Sequence, residues 1–195
     1  MNANVSQSWI NFFYAGSNLI AILAVVVGVI AAYMFLSATK DFLGRDTRQH
    51  VKTSTLAAYF LVAGIGLSFA SFTNNVNSTV YNGTGAEFSE GQNPLTWRAD
   101  SAPQLNGVAP QLMIAAVIVI GFGFLGALAF YLALLTMFRF NSLHPQHQGC
   151  YKDFSMYTLG GVICSNLVPV AKILSNGIPF LTSTADLIQR ASAHI

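Results

Sequence analysis

The sequence predicts an all-α membrane protein that crosses the bilayer four times as two helical hairpins, and three observations predict it. The first is composition: 53% of the 195 residues are hydrophobic, only 8% are charged, and mean hydropathy is +0.53. A soluble domain carries about 25% charged residues, so this chain lacks the polar surface to dissolve as a monomer. The second is patterning, because residues 1–39, 53–86, 101–138 and 154–171 contain no Asp, Glu, Lys or Arg. Each tract is long enough to hold one span, which needs roughly 17–25 apolar residues. The third is the placement of positive charge. Six of the nine basic residues fall in two short segments, 37–54 and 139–156. Together these exclude a soluble enzyme, a nucleic-acid binder and a disordered linker.

The elements follow in order. Leu19 to Leu36 reads LIAILAVVVGVIAAYMFL without a charge and forms the first span. Ahead of it, Trp9, Phe12, Phe13 and Tyr14 make an aromatic cluster of the kind enriched at membrane boundaries, which predicts a short interfacial helix. No Lys or Arg precedes Lys40, so this stretch lacks the basic region that opens a cleaved signal peptide. The second span covers about Thr55 to Phe72 and the third about Leu112 to Phe138. The fourth runs from Tyr157 to about Phe180 and holds Asn166, Pro169 and Lys172, with a kink expected at Pro169 because proline removes a backbone donor. The chain is one membrane domain: hairpin 19–72, middle loop 73–111, hairpin 112–180 and tail 181–195. In the tail, Leu187, Ile188 and Ala191 share one face, and the segment is expected on the outer membrane surface or on a neighbouring molecule.

Charge sets the topology. Lys40, Arg45, Arg48 and Lys52 close the first hairpin, and Arg139 and Lys152 flank the turn of the second. By the positive-inside rule both turns are cytoplasmic, so the termini and loop 73–111 are extracytoplasmic. The basic residues serve topology alone or also hold anionic phospholipid headgroups, at about 1 kcal/mol each near a charged surface.

The inventory for chemistry is thin. No Asp or Glu lies within a predicted span, and no HExxH or phosphate-binding glycine loop occurs. His144 and His147 bracket Pro145, which interrupts a helix, and Cys150 and Cys164 match no zinc spacing. No catalytic, cofactor or metal residue is expected, with structural phospholipid the one candidate ligand. Lys172 reads as a lysine that snorkels to the headgroups, or as a partner for a charge on another subunit. Small residues carry more information. Ala24, Gly28 and Ala32 lie four apart on the first span, Gly123 and Gly126 sit on the third, and Gly161 and Ser165 lie four apart on the fourth. Such rows let helix backbones approach closely, and Asn166 is expected to join helices by hydrogen bonding. They serve folding within one chain or assembly between chains.

From Val117, the stretch VIVIGFGFLGALAFYLALLTMF, then a short polar turn and YTLGGVICSNLVPVAKILSNGIPF from Tyr157, resembles the small membrane proteins of type IVB (Dot/Icm-type) secretion and conjugation systems. These are the DotE/IcmC-like proteins and their TraQ-like relatives. The similarity covers about a third of the chain and carries over no functional residue. It implies a bacterial inner-membrane component of a secretion or conjugation apparatus, in one version pilin-like and extracellular. The resulting expectation is a non-enzymatic structural subunit that forms homo-oligomers or joins other subunits in lipid, without a nucleic-acid site. The alternatives are a small transporter or channel subunit, which requires a polar path, and an accessory subunit of a membrane enzyme complex, which requires cofactor ligands.

Overall fold

A computed structural model describes residues 3–43, 53–80, 109–142, 150–178 and 181–192. The elements among them are helices: α1 (Ala3–Leu43), α2 (Thr53–Leu67), α3 (Phe69–Val80), α4 (Pro110–Ser142), α5 (Cys150–Ser165), α6 (Leu167–Gly177) and α7 (Thr182–Ser192). Helix is what such sequence must form in lipid, where every backbone N–H and C=O has to be satisfied within the segment. Two helical stretches, Val5–Leu43 and Pro110–Arg139, are long and apolar enough to cross a membrane. A third crossing exists if Lys152–Ser165 and Leu167–Gly177 form one bent span, and α2 is apolar but shorter. The described residues are therefore all-helical and suited to a membrane, and among them there are two to three candidate spans where four were expected.

Several boundaries differ from the sequence reading. The aromatic cluster Trp9–Tyr14 is not a separate interfacial helix but part of the 41-residue α1, because no proline or charge separates it from the apolar run, and the lone Gly16 between them weakens a helix without ending it. Residues 73–80 of the expected middle loop are helical and belong to α3; residues 81–108 lie outside the described set. Between α2 and α3 only Ser68 departs from helix. The backbone ladder still crosses it: Ser68 N–H donates to Gly64 O at 3.1 Å and Phe72 N–H donates to Ser68 O at 2.9 Å.

The expected kink at Pro169 is instead an 85° break at Asn166, three residues earlier. The cause is local. Proline cannot donate to the carbonyl four residues back, and its ring crowds that carbonyl. Breaking at Asn166 makes Leu167 the first residue of a new helix, so Pro169 falls in a first turn, where its missing N–H costs nothing. In the tail, α7 packs against α4 and α6 of its own chain, with Ala191 fully buried.

Residue pairs fix the helix directions. Gly28 meets Gly66 and Phe35 meets Phe60, so α1 and α2 are antiparallel. Gly126 meets Ser165 and Gly161 meets Phe130, so α4 and α5 are antiparallel. Phe13 lies on Gly121 and Phe124 on Gly16, so α1 and α4 run the same way. The helix ends flanking segments 44–52 and 143–149 consequently share one end of the bundle.

Two cores hold it together. The larger gathers Ile20, Ala24 and Ala31 of α1, Val62 and Ala63 of α2, Phe69 of α3, Ala127, Phe130 and Leu134 of α4 and Val162 of α5. The smaller lies toward the opposite end from Lys40, Arg139 and Lys152, where Ile10, Met113, Ala115, Ala116 and Ala191 close α1, α4 and α7 together.

Candidate functional site

Close approach of backbones, not a pocket of reactive groups, is the dominant local feature. At the α1/α2 crossing, a Cβ on Gly66 would stand 2.6 Å from the Gly28 Cα and 2.8 Å from the Ala24 carbonyl oxygen. A Cβ on Gly28 would stand 2.7 Å from the Leu67 nitrogen. These are backbone atoms that cannot swing aside, so both positions require glycine. At the α4/α5 crossing, a Cβ on Gly126 would meet the Ser165 nitrogen at 2.7 Å, whereas one on Gly161 would meet only the Phe130 ring, at 3.0 Å. Ala32 is half-buried against the larger core. Gly123 faces open space, as do Gly64 and Gly160.

Gly66 was not among the packing residues read from the sequence. A signal existed: it shares a helical face with Tyr59, Val62 and Ala63, all buried, whereas Gly64 does not. The Phe13/Gly121 and Phe124/Gly16 pairs were also missed. There two aromatic rings, with centroids 5.7 Å apart, each cover a glycine of the facing helix.

Polar side chains gather where α5 breaks. Asn166 is 1% exposed; its side-chain amide donates to the Val162 carbonyl at 2.8 Å, and its backbone carbonyl accepts the Val170 N–H at 3.1 Å. The Ser165 hydroxyl donates to the Gly161 carbonyl. The Asn166 amide thereby covers Val162, one of the last four carbonyls of α5, while Ser165 makes the usual back-bond of a helical serine. Thr73 and Asn74 are buried on α3, which touches α5, and Ser17 and Asn18 are half-buried on α1. Thr73 donates to Phe69 O, Ser17 to Phe13 O and Asn18 to Tyr14 O. Much of this polarity is thus turned back on its own helices.

The basic residues divide by what the structure describes. Lys40, in the last turn of α1, and Lys152, in the first turn of α5, are exposed, and Arg139 is exposed in the last turn of α4. Lys40 and Arg139 sit where a helix C-terminus favours positive charge. Arg45, Arg48, Lys52, His144 and His147 lie outside the described residues. Among the described residues no group of three or more His, Cys, Asp or Glu is placed to hold a metal ion. Cys164 is a half-buried free thiol.

On the outer face of α2 and α3, a shallow groove of about 260 Å³ is lined by Phe60, Leu61, Gly64, Ser68, Ser71 and Asn75, among others. Its small residues recur at three- and four-residue spacing, the row that suits a facing helix. Ser68 is already satisfied, its hydroxyl donating to Gly64 O at 2.6 Å. Comparison with protein-family models, curated proteins and solved structures gives no match.

Proposed function

We propose that this protein is a structural membrane subunit that works by assembling, with copies of itself or with other subunits, and performs no reaction of its own. One observation carries the reading: the small residues split into two sets. Gly28, Gly66, Gly126, Gly161 and Ser165 are used inside the chain, while Gly64, Gly123 and Gly160 face outward with nothing within 4 Å. Large apolar side chains surround the outward set, including Phe60, Leu61, Phe122, Leu125 and Leu159. In lipid, close packing at such small-residue faces drives helices together.

In this reading the chain passes the bilayer four times, through α1, α2 with α3, α4 and α5. The basic end faces the cytoplasm of a bacterial inner membrane, with Lys40, Arg45, Arg48, Lys52, Arg139 and Lys152 holding anionic phospholipid. A secretion or conjugation apparatus, with a pilin-like role as one form, is the setting that the resemblance of the last two spans supports. Disulfide cross-linking tests the assembly. With Cys150 and Cys164 replaced by serine, Ser68→Cys in the α2/α3 groove is expected to cross-link between copies in native membranes, and Leu23→Cys, exposed on α1 outside that groove, is not. Equal and low cross-linking at both sites contradicts the proposal.

A second reading, a small transporter or channel subunit, draws on one observation: a discontinuous helix beside buried Asn74, Ser165 and Asn166, a combination that marks substrate paths in transporters. Solute flux through liposomes carrying the pure protein separates the two, since a packing subunit gives none.

A further inference from the structure

We infer that α6 is a helix lying flat in the outer membrane interface, with the lipid surface as its partner, and not the second half of a transmembrane span. The inference rests on α1 and α4 crossing the membrane, and on nothing about assembly.

Three observations combine. The first is direction. The 85° break turns α6 almost perpendicular to α5, and Asn166 closes the break with hydrogen bonds to both sides.

The second is the sidedness of α6. At 100° per residue, Leu167, Val170, Ile173 and Leu174 fall on one face, while Lys172 and Asn176 fall on the other. Ile173 is 61% and Leu174 48% exposed, so α7, which packs against α6, leaves this apolar face uncovered. Lys172 is exposed opposite to it. An apolar face, an opposed polar face and a lysine to reach the headgroups are the makings of an interfacial helix.

The third is depth. Lys152, an exposed charge in the first turn of α5, marks the membrane boundary at the end of the bundle that carries Lys40 and Arg139. From it to Asn166 is about 21 Å at about 1.5 Å per residue. A hydrocarbon core of about 30 Å therefore continues about 9 Å past the break. Interfacial helices bury their apolar face about 5–10 Å deep, so a flat α6 accounts for the shortfall. Lys172 then needs only its own side chain to reach water. A second copy of the chain is the competing occupant of the Ile173/Leu174 face, but it would leave this agreement in depth without a cause.

The experiment is spin-label accessibility on the full chain in lipid vesicles, with Cys150 and Cys164 replaced by serine. Labels go at Lys172→Cys, Ile173→Cys, Leu174→Cys and Asn176→Cys, with Val29→Cys, an exposed position on α1, as the reference. Collisions with oxygen report lipid, and collisions with a water-soluble nickel chelate report solvent. The expected result is an inverted oxygen-to-nickel ratio between the pair 173/174 and the pair 172/176, with 173 and 174 at one common shallow depth. Three results overturn the inference. Depth that changes steadily by about 1.5 Å per residue from 172 to 176 means a continuing span. Equal nickel access at all four sites means a solvated helix. Protection of 173 and 174 from both reagents means a protein cover. Nickel access at Val29→Cys, by contrast, means that α1 is not in the membrane, so failure of the membrane reading is seen separately.

Discussion

Gly64 and Gly66 are two residues apart on α2 and meet opposite surroundings. A Cβ on Gly66 would press into the backbone of α1, whereas a Cβ on Gly64 would meet nothing. A helix turns by about 200° over two residues, so one glycine builds the bundle and the other sits on its outer surface. The α4/α5 crossing stands between these extremes: Gly126 faces backbone, but Gly161 faces a ring that can move. Glycine content alone therefore says little. What a glycine is worth depends on whether the atom across from it can yield.

Substitutions at these positions separate the two kinds of glycine. The largest effect is expected at Gly66→Leu, which forces a branched side chain against fixed backbone. Overpacking usually costs about 1–3 kcal/mol, and this site lies at or beyond the upper end, read as loss of cooperative unfolding of the purified protein. Next comes Asn166→Ala, which bares the Val162 carbonyl at a buried position; a lost buried partner costs about 1–3 kcal/mol. That loss should appear as a lower thermal midpoint, with α5 and α6 more open to proteolysis. Gly161→Ala should cost about 1 kcal/mol, and pairing it with Phe130→Leu should recover part of the loss, because the ring is the obstacle. A recovery of the same size on pairing Gly66→Ala with Phe130→Leu would break the comparison, since Phe130 does not face Gly66. Smallest is Gly64→Leu, expected to leave the thermal midpoint within about 0.5 kcal/mol of the parent.

Helix content and membrane character were legible in the sequence because both follow from long uncharged runs, as in Leu19–Leu36. Directions of the hairpins were legible from charge, and the shared end of Lys40, Arg139 and Lys152 agrees with them. Helix lengths were not. Trp9 to Tyr14 was read as an interfacial piece because aromatic residues suit that zone, yet the rings of Phe13 and Phe124 are spent covering glycines between α1 and α4. Pro169 pointed to a disturbed helix but not to its place: proline constrains the residues before it, and the side chain able to close a break belonged to Asn166. Among small residues, spacing identified Ala24 and Gly28 but not their partner Gly66, because a row shows that a helix can pack without showing which face meets which. The same ambiguity covers Gly123, which meets nothing within its own chain and faces open space.

Inward small residues make the fold, and outward ones make the proposed assembly. Counting subunits by single-molecule photobleaching in lipid nanodiscs, on the parent chain and on Gly64→Leu, tests it most directly. The parent is expected to bleach in several steps and Gly64→Leu in fewer, with helix content and thermal midpoint unchanged. A parent chain that bleaches in one step, or a Gly64→Leu protein that assembles as the parent does, contradicts it.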